Sequence, residues 1–63
     1  MYYYAVCGIR VDNGAEETVK TFDCGMDLTD QEARIAALEY ELFVNRDSKY
    51  SSSSVSRRIV VLK

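Results

Sequence analysis

The sequence contains no histidine, no proline and no tryptophan, and it has only two cysteines. Without histidine, a Ser–His–Asp triad or a Cys–His pair cannot be assembled within one chain, and the usual proton shuttle near neutral pH is missing. Zinc sites that combine cysteine with histidine are excluded, and two thiols cannot supply a four-cysteine site. We therefore expect a protein that is not an enzyme and that binds no metal and no cofactor.

Glycine is also scarce and scattered. Gly8, Gly14 and Gly25 stand apart from one another, so no glycine-rich phosphate loop is present. With 63 residues, the chain is one domain near the lower limit for independent folding, too short for a deep substrate pocket beside its own core. Residues 1–9 are apolar, but they lack a basic start and are too short to span a bilayer, so we expect no membrane segment.

The two cysteines, Cys7 and Cys24, form no CxxC motif. A secreted domain of this size usually carries several disulfides. Two isolated cysteines, one of them inside an apolar strand pattern, instead favour buried free thiols and a cytoplasmic location. A single Cys7–Cys24 disulfide is the alternative.

A β-hairpin is predicted over residues 2–24. Residues 2–11 are rich in aromatic and β-branched side chains, and the Asp-Asn-Gly sequence at 12–14 favours a tight turn because Asn and Gly tolerate positive φ. The alternation of side chains along a strand places the wholly apolar odd positions on the core and the even positions on the opposite face. The odd positions are Tyr3, Ala5, Cys7, Ile9 and Val11, and the even positions are Tyr2, Tyr4, Val6, Gly8 and Arg10.

The register of the return strand, residues 17–24, stays open. A two-residue loop turns Phe22 inward but also places Lys20 on the core face. A three-residue loop turns Val19 inward and Phe22 outward. Because neither register buries only apolar side chains, we expect a bulge or an edge strand with one solvated side.

A helix is predicted over residues 30–45, because Thr29 and Glu32 have the spacing of a capping box. The polar residues 47–54 predict a flexible serine-rich loop, and residues 55–62 predict a last strand. A right-handed crossover then gives an α+β fold of β-β-α-β order. We expect a three-stranded antiparallel sheet in strand order 2-1-3 with the single helix packed on one face.

The predicted helix carries more apolar surface than one sheet-packing face needs. On a helical wheel, Ile35, Leu38 and Leu42 form one sector, and charged residues separate it from a second. One interpretation is that helix margins tolerate alanine and that Tyr40 reaches out to solvent. The other is that one sector packs on the sheet while the other meets another chain, which predicts a homodimer. The second sector contains Ala33, Ala36, Ala37, Tyr40, Phe43 and Val44.

The sheet face that the helix leaves open is the other predicted contact surface. Its tyrosines and arginines are residue types enriched at binding hot spots, although tyrosine is also ordinary in strands that bind nothing. We predict protein binding through both surfaces. The predicted partner-binding residues are Tyr2, Tyr4, Arg10 and Arg58 on the sheet, with Tyr40 and Phe43 on the helix.

In general character the chain resembles the very small accessory proteins encoded by phages and other mobile elements. The shared features are the Tyr2-Tyr3-Tyr4 opening after Met1, the β-β-α-β length and the absence of catalytic machinery. Such proteins bind a host protein and inhibit or redirect it. The resemblance implies the same role here, exerted by occlusion of a partner's surface.

The distribution of charge supports an alternative function. Residues 46–63 hold five of the eight basic residues. A basic last strand beside a tyrosine-bearing strand suits single-stranded nucleic acid, through Tyr2, Tyr4, Arg57 and Arg58. The net charge of −2 and the lack of a ribonucleoprotein motif make this the second choice.

Overall fold

The computed structural model describes residues 2–25 and 28–60. Three strands form one antiparallel sheet in the order β2-β1-β3, and the helix α1 contacts all three strands. This arrangement confirms the predicted α+β fold and its strand order 2-1-3. The elements are β1 (Tyr2–Arg10), β2 (Glu16–Cys24), α1 (Asp30–Arg46) and β3 (Tyr50–Ile59).

The start of α1 is fixed by the predicted capping box. The Glu32 amide donates to Thr29 Oγ1 at 3.2 Å, and the Thr29 amide donates to Glu32 Oε1 at 3.1 Å. The hydrogen bond from the Thr29 backbone holds the pKa of Glu32 below its usual value. The helix begins at Asp30 as expected and ends at Arg46, one residue beyond the prediction.

The hairpin register follows neither predicted loop throughout, because β2 carries a bulge. Val6 pairs with Lys20 while Cys7 pairs with Thr18, which leaves Val19 as the extra residue. A bulge changes the alternation of side chains along its strand. As a result Val19 and Phe22 both pack against the core, which no regular register allows. The expectation of a bulge in this edge strand is confirmed. Residues 20–24 keep the register of the three-residue loop, in which Ala5 pairs with Thr21, while residues 16–18 are shifted by one. The register of the two-residue loop is wrong.

The serine tract is part of β3 and not the flexible loop predicted for residues 47–54. Residues 51–54 lie in the strand, and residues 52–54 pair with the C-terminal half of β1, while Ser51 is skipped where the register shifts. Strand pairing uses backbone groups, so small hydroxyl side chains do not prevent it. Ser53 is also tied to α1, because its Oγ donates to Asn45 Oδ1 at 2.7 Å. The last strand therefore starts at Tyr50 and ends at Ile59. Residues 61–62 of the predicted strand lie outside the described residues.

The two faces of β1 are the reverse of the prediction. Val6 is fully buried in the core with Ala37 and Val44 of α1, and Tyr4 packs against this cluster. The even positions therefore face the helix. Ala5 and Cys7, at odd positions, are 0% and 1% exposed although no helix covers them. Neighbouring strands on both sides are enough to bury such small side chains. Apolar residues at the odd positions therefore do not show which face of β1 the helix covers.

Gly8 leaves room for a tyrosine ring on the even face of β1. The Tyr50 ring lies against it, and a Cβ on Gly8 would stand 2.6 Å from Tyr50 Cδ1. The Tyr50 hydroxyl donates to Glu17 on the far edge strand. One ring thus spans the sheet from β3 to β2, and it fits only because residue 8 has no side chain.

We expect Gly8→Ala to lower the free energy of unfolding by about 1–3 kcal/mol, because the new methyl overlaps the Tyr50 ring. In a Tyr50→Ala background the same substitution should be neutral or stabilising, since alanine is favoured over glycine in a strand. Urea denaturation of the four proteins in this cycle measures the coupling. Equal losses in both backgrounds would contradict the close contact.

Candidate functional site

Tyr2 and Tyr4 hold the N-terminus of the helix. Their hydroxyls donate to the same oxygen, Asp30 Oδ1, at 2.5 and 2.7 Å. The two rings meet edge to face, with their centroids 6.1 Å apart. The Arg57 guanidinium lies over the Tyr2 ring, 5.4 Å from its centroid. These tyrosines therefore face α1, and their polar ends are engaged within the chain.

Hydrogen bonding to one carboxylate moves the pKa values of all three groups. The bonds from Tyr2 and then Tyr4 hold the pKa of Asp30 below its usual value. The bond to Asp30 raises the pKa of Tyr2 from 10.0 to about 12 and raises that of Tyr4. Stability from Asp30 is thus present at neutral pH and is lost as pH falls through its lowered pKa. Stability from Tyr2 is present below pH 10 and is lost as pH rises towards 12.

The two predicted arginines of the sheet lie apart from these tyrosines. Arg10 lies at the hairpin end, where its guanidinium donates to Asp12 at 2.8 and 3.0 Å. Arg58 lies on the other face, where its Nη2 is 3.3 Å from Glu16 Oε1 and 3.5 Å from Cys7 Sγ. The predicted sheet-face cluster is therefore divided among three places.

The open face of the sheet is polar. Its central residues, Ala5 and Cys7, are buried between strands that present hydroxyl side chains to the same face: Thr18, Thr21, Ser54 and Ser56. Cys7 and Cys24 are both buried free thiols, as expected. Of the sheet residues predicted for partner binding, only Arg58 lies on this face.

The surplus apolar surface lies instead on the outside of α1. Ile35, Leu38 and Leu42 are 48%, 47% and 58% exposed, and we call them the outer stripe. At about 100° per residue, they point away from the buried positions Ala37 and Val44. The division of the helix into two apolar sectors is confirmed, and the alanine-rich sector is the one that packs on the sheet.

Tyr40 and Phe43 have separate environments. Tyr40 packs against the core, with its ring centroid 6.1 Å from that of Phe22. Phe43 is 67% exposed and touches Tyr40 at a centroid distance of 6.2 Å. Phe43 therefore remains available at the margin of the helix, whereas Tyr40 is a packing residue. The outer stripe was visible in the sequence as the first sector of the wheel, but its residues were not among the predicted site residues.

Comparisons of the chain with protein-family models, with curated proteins and with solved structures give no match. Within residues 2–25 and 28–60, no group of three or more metal-ligating side chains converges on one point. In the same part of the chain, no helix is long and apolar enough to cross a membrane. The outer stripe, with Phe43 beside it, is the candidate functional site.

We expect Asp30→Asn to return the pKa of Tyr2 from about 12 towards 10.0, because the carboxylate charge that favours the neutral phenol is removed. An NMR titration that follows each tyrosine ring separately measures the change. Glu39→Gln removes a carboxylate elsewhere on α1 and should leave the Tyr2 curve in place. An unchanged Tyr2 curve in Asp30→Asn would show that this contact does not form in solution.

Proposed function

We propose that the chain is a non-catalytic protein-binding module that inhibits or redirects a partner by covering part of its surface. The observation that supports this is the outer stripe. Three large aliphatic side chains, each about half exposed, follow one another at helical spacing on the outward face of the only helix in the described residues. Ile35, Leu38 and Leu42 supply the contact, and Phe43 is a separate exposed apolar residue beyond Glu39.

The contrast between the two sides of α1 supports a contact there. The side that packs on the sheet is built from Ala33, Ala37 and Val44, while the larger aliphatic residues face outward. Exposed leucine and isoleucine add nothing to the core of this fold. An apolar stripe of this kind on a small protein is typical of surfaces that bind another protein, in the manner of a helix laid into a groove.

The charges beside the stripe favour a protein over an anionic partner. Glu32, Glu39 and Arg46 flank one side of it, and Arg34 and Glu41 lie on the other. Three carboxylates against two guanidinium groups leave no excess of positive charge to bind phosphate groups, whether in nucleic acid or in anionic lipid.

Three of the predicted nucleic-acid residues lie together, since Tyr4 and Arg57 both contact the Tyr2 ring. Both tyrosine hydroxyls are bound to the Asp30 carboxylate, which disfavours phosphate there, and Arg58 lies on the opposite face.

We place this activity in the cytoplasm, supported by two buried cysteines that remain free. The role matches that of the small phage accessory proteins that the chain resembles. Surface occlusion requires no chemistry from the module, only a face that a partner binds.

Capture from a lysate of cells that carry the gene, followed by mass spectrometry, tests the proposal. We expect the wild-type chain to retain a specific protein and Leu38→Glu to lose it, because a charge in the centre of the stripe opposes desolvation. Leu38→Glu and the control variant Val11→Glu both change exposed residues, so we expect the free energy of unfolding to change by less than about 0.5 kcal/mol in each.

The matched control is Val11→Glu, which places the same charge at another exposed apolar residue, 60% exposed at the hairpin end. It should retain the partner. Equal retention by wild type and Leu38→Glu would contradict a role for the stripe. Circular dichroism confirms that each variant is folded.

A further inference from the structure

We propose that the occupant of the outer stripe is a second copy of this chain, packed against the first through parallel α1 helices. This inference rests on the proposed function, because it assigns an occupant to the same surface in the free protein, which a more tightly binding partner then displaces. The supporting observation is the pattern of charges that flank the stripe. When two identical helices lie parallel, these charges complement each other.

The stripe has the spacing of a helix–helix seam. Ile35, Leu38 and Leu42 alternate by three and four residues, and Gln31 and Asn45 continue that spacing at the two ends. Side chains repeated in this way form one line along a helix, and two such lines pack together in a coiled coil. Asn45 is hydrogen-bonded to Ser53, so the apolar part of the seam ends at Leu42.

The residues on the two sides of the seam carry opposite charges at a separation of five. Arg34 and Glu41 lie on one side, and Glu39 and Arg46 lie on the other. In a parallel pair of helices, a residue on the first side meets the residue five positions later in the partner. Arg34 therefore faces Glu39 of the second copy, and Glu41 faces Arg46 of the second copy. The two-fold symmetry repeats each pair, which gives four.

After the hydrogen bonds from Tyr2 and Tyr4, Arg34 also helps to lower the pKa of Asp30, but none of these four charges forms an ion pair within the described residues. The ion pairs among the described residues involve Arg10 and Arg58, and none includes a residue of α1. Side chains five apart on one helix do not face each other, whereas those three or four apart do. The separation of five thus fits pairing between two helices and not pairing along one.

The antiparallel arrangement is disfavoured by the same residues. It would bring like sides of the seam together, so that Arg34 would face Glu41 of the second copy while Glu32 and Glu39 would face the same carboxylates. Attraction on one side is then offset by repulsion on the other, whereas the parallel orientation gives attraction on both. Because the stripe points away from the sheet, a parallel pair keeps both sheets on the outside. The result is four layers, with the two helices between the two sheets.

The pairing surface is small. A helix of 17 residues is about 26 Å long, and only three of its seam positions are large and apolar. Such a contact buries less than a standard stable interface. We therefore expect a reversible dimer with a dissociation constant on the order of micromolar.

Sedimentation equilibrium of the full chain tests this pairing. Wild type should show a monomer–dimer equilibrium. Arg34→Glu and Glu39→Arg should each weaken it by about tenfold or more, because two attractive pairs become repulsive. The double variant Arg34→Glu/Glu39→Arg should recover most of the wild-type affinity, since the charges are exchanged and still complementary. Lys20→Glu, the same kind of change on β2, is the control and should leave the equilibrium unaltered.

Each other outcome overturns the inference in a distinguishable way. A stronger dimer in Glu39→Arg would indicate antiparallel pairing. A wild-type chain that stays monomeric at every concentration, while its lysate partner is still lost in Leu38→Glu, would assign the stripe to a different protein and leave the proposed function standing. A dimer that Leu38→Glu does not weaken, together with unchanged capture, would contradict both.

Discussion

The structure depends on how the layer between helix and sheet is filled. The sheet contributes large side chains to this layer, Tyr4, Phe22 and Tyr50 among them, while α1 contributes Ala33 and Ala37 at its points of closest approach. Protein interiors are packed to a nearly constant density, so large residues on one side require small ones on the other. The alanine side of α1 therefore faces inward, and the larger aliphatic residues are left on the outside.

That division separates stability from binding. The clamp from Tyr2 and Tyr4 to Asp30 fixes one end of α1, and the Tyr50 ring across Gly8 packs near the opposite end of β1. The sheet needs no second covering layer, because the small side chains at the centre of its open face are buried by neighbouring strands. The outer stripe takes no part in any of these contacts, which leaves it free to bind another chain.

The elements and their order were predictable because their signals are local. The Thr29 and Glu32 capping box starts the helix, and Asn13-Gly14 marks the hairpin. The covered face of β1 was not predictable by alternation, since both of its sides are largely apolar and the deciding features are the Gly8–Tyr50 contact and the Asp30 clamp, both between residues distant in sequence. A bulge in the return strand was predicted, but its position at Val19 was not. The start of β3 was missed because a serine tract pairs through its backbone.

The central claim is that a second copy of the chain packs on the surplus apolar side of α1. The most direct measurement is an NMR dilution series from millimolar to micromolar concentration, with each backbone amide followed separately. Chemical shifts should change along α1 around Ile35, Leu38 and Leu42 and stay constant on the open face of the sheet. Changes confined to the sheet, or no change at any amide, would contradict the account.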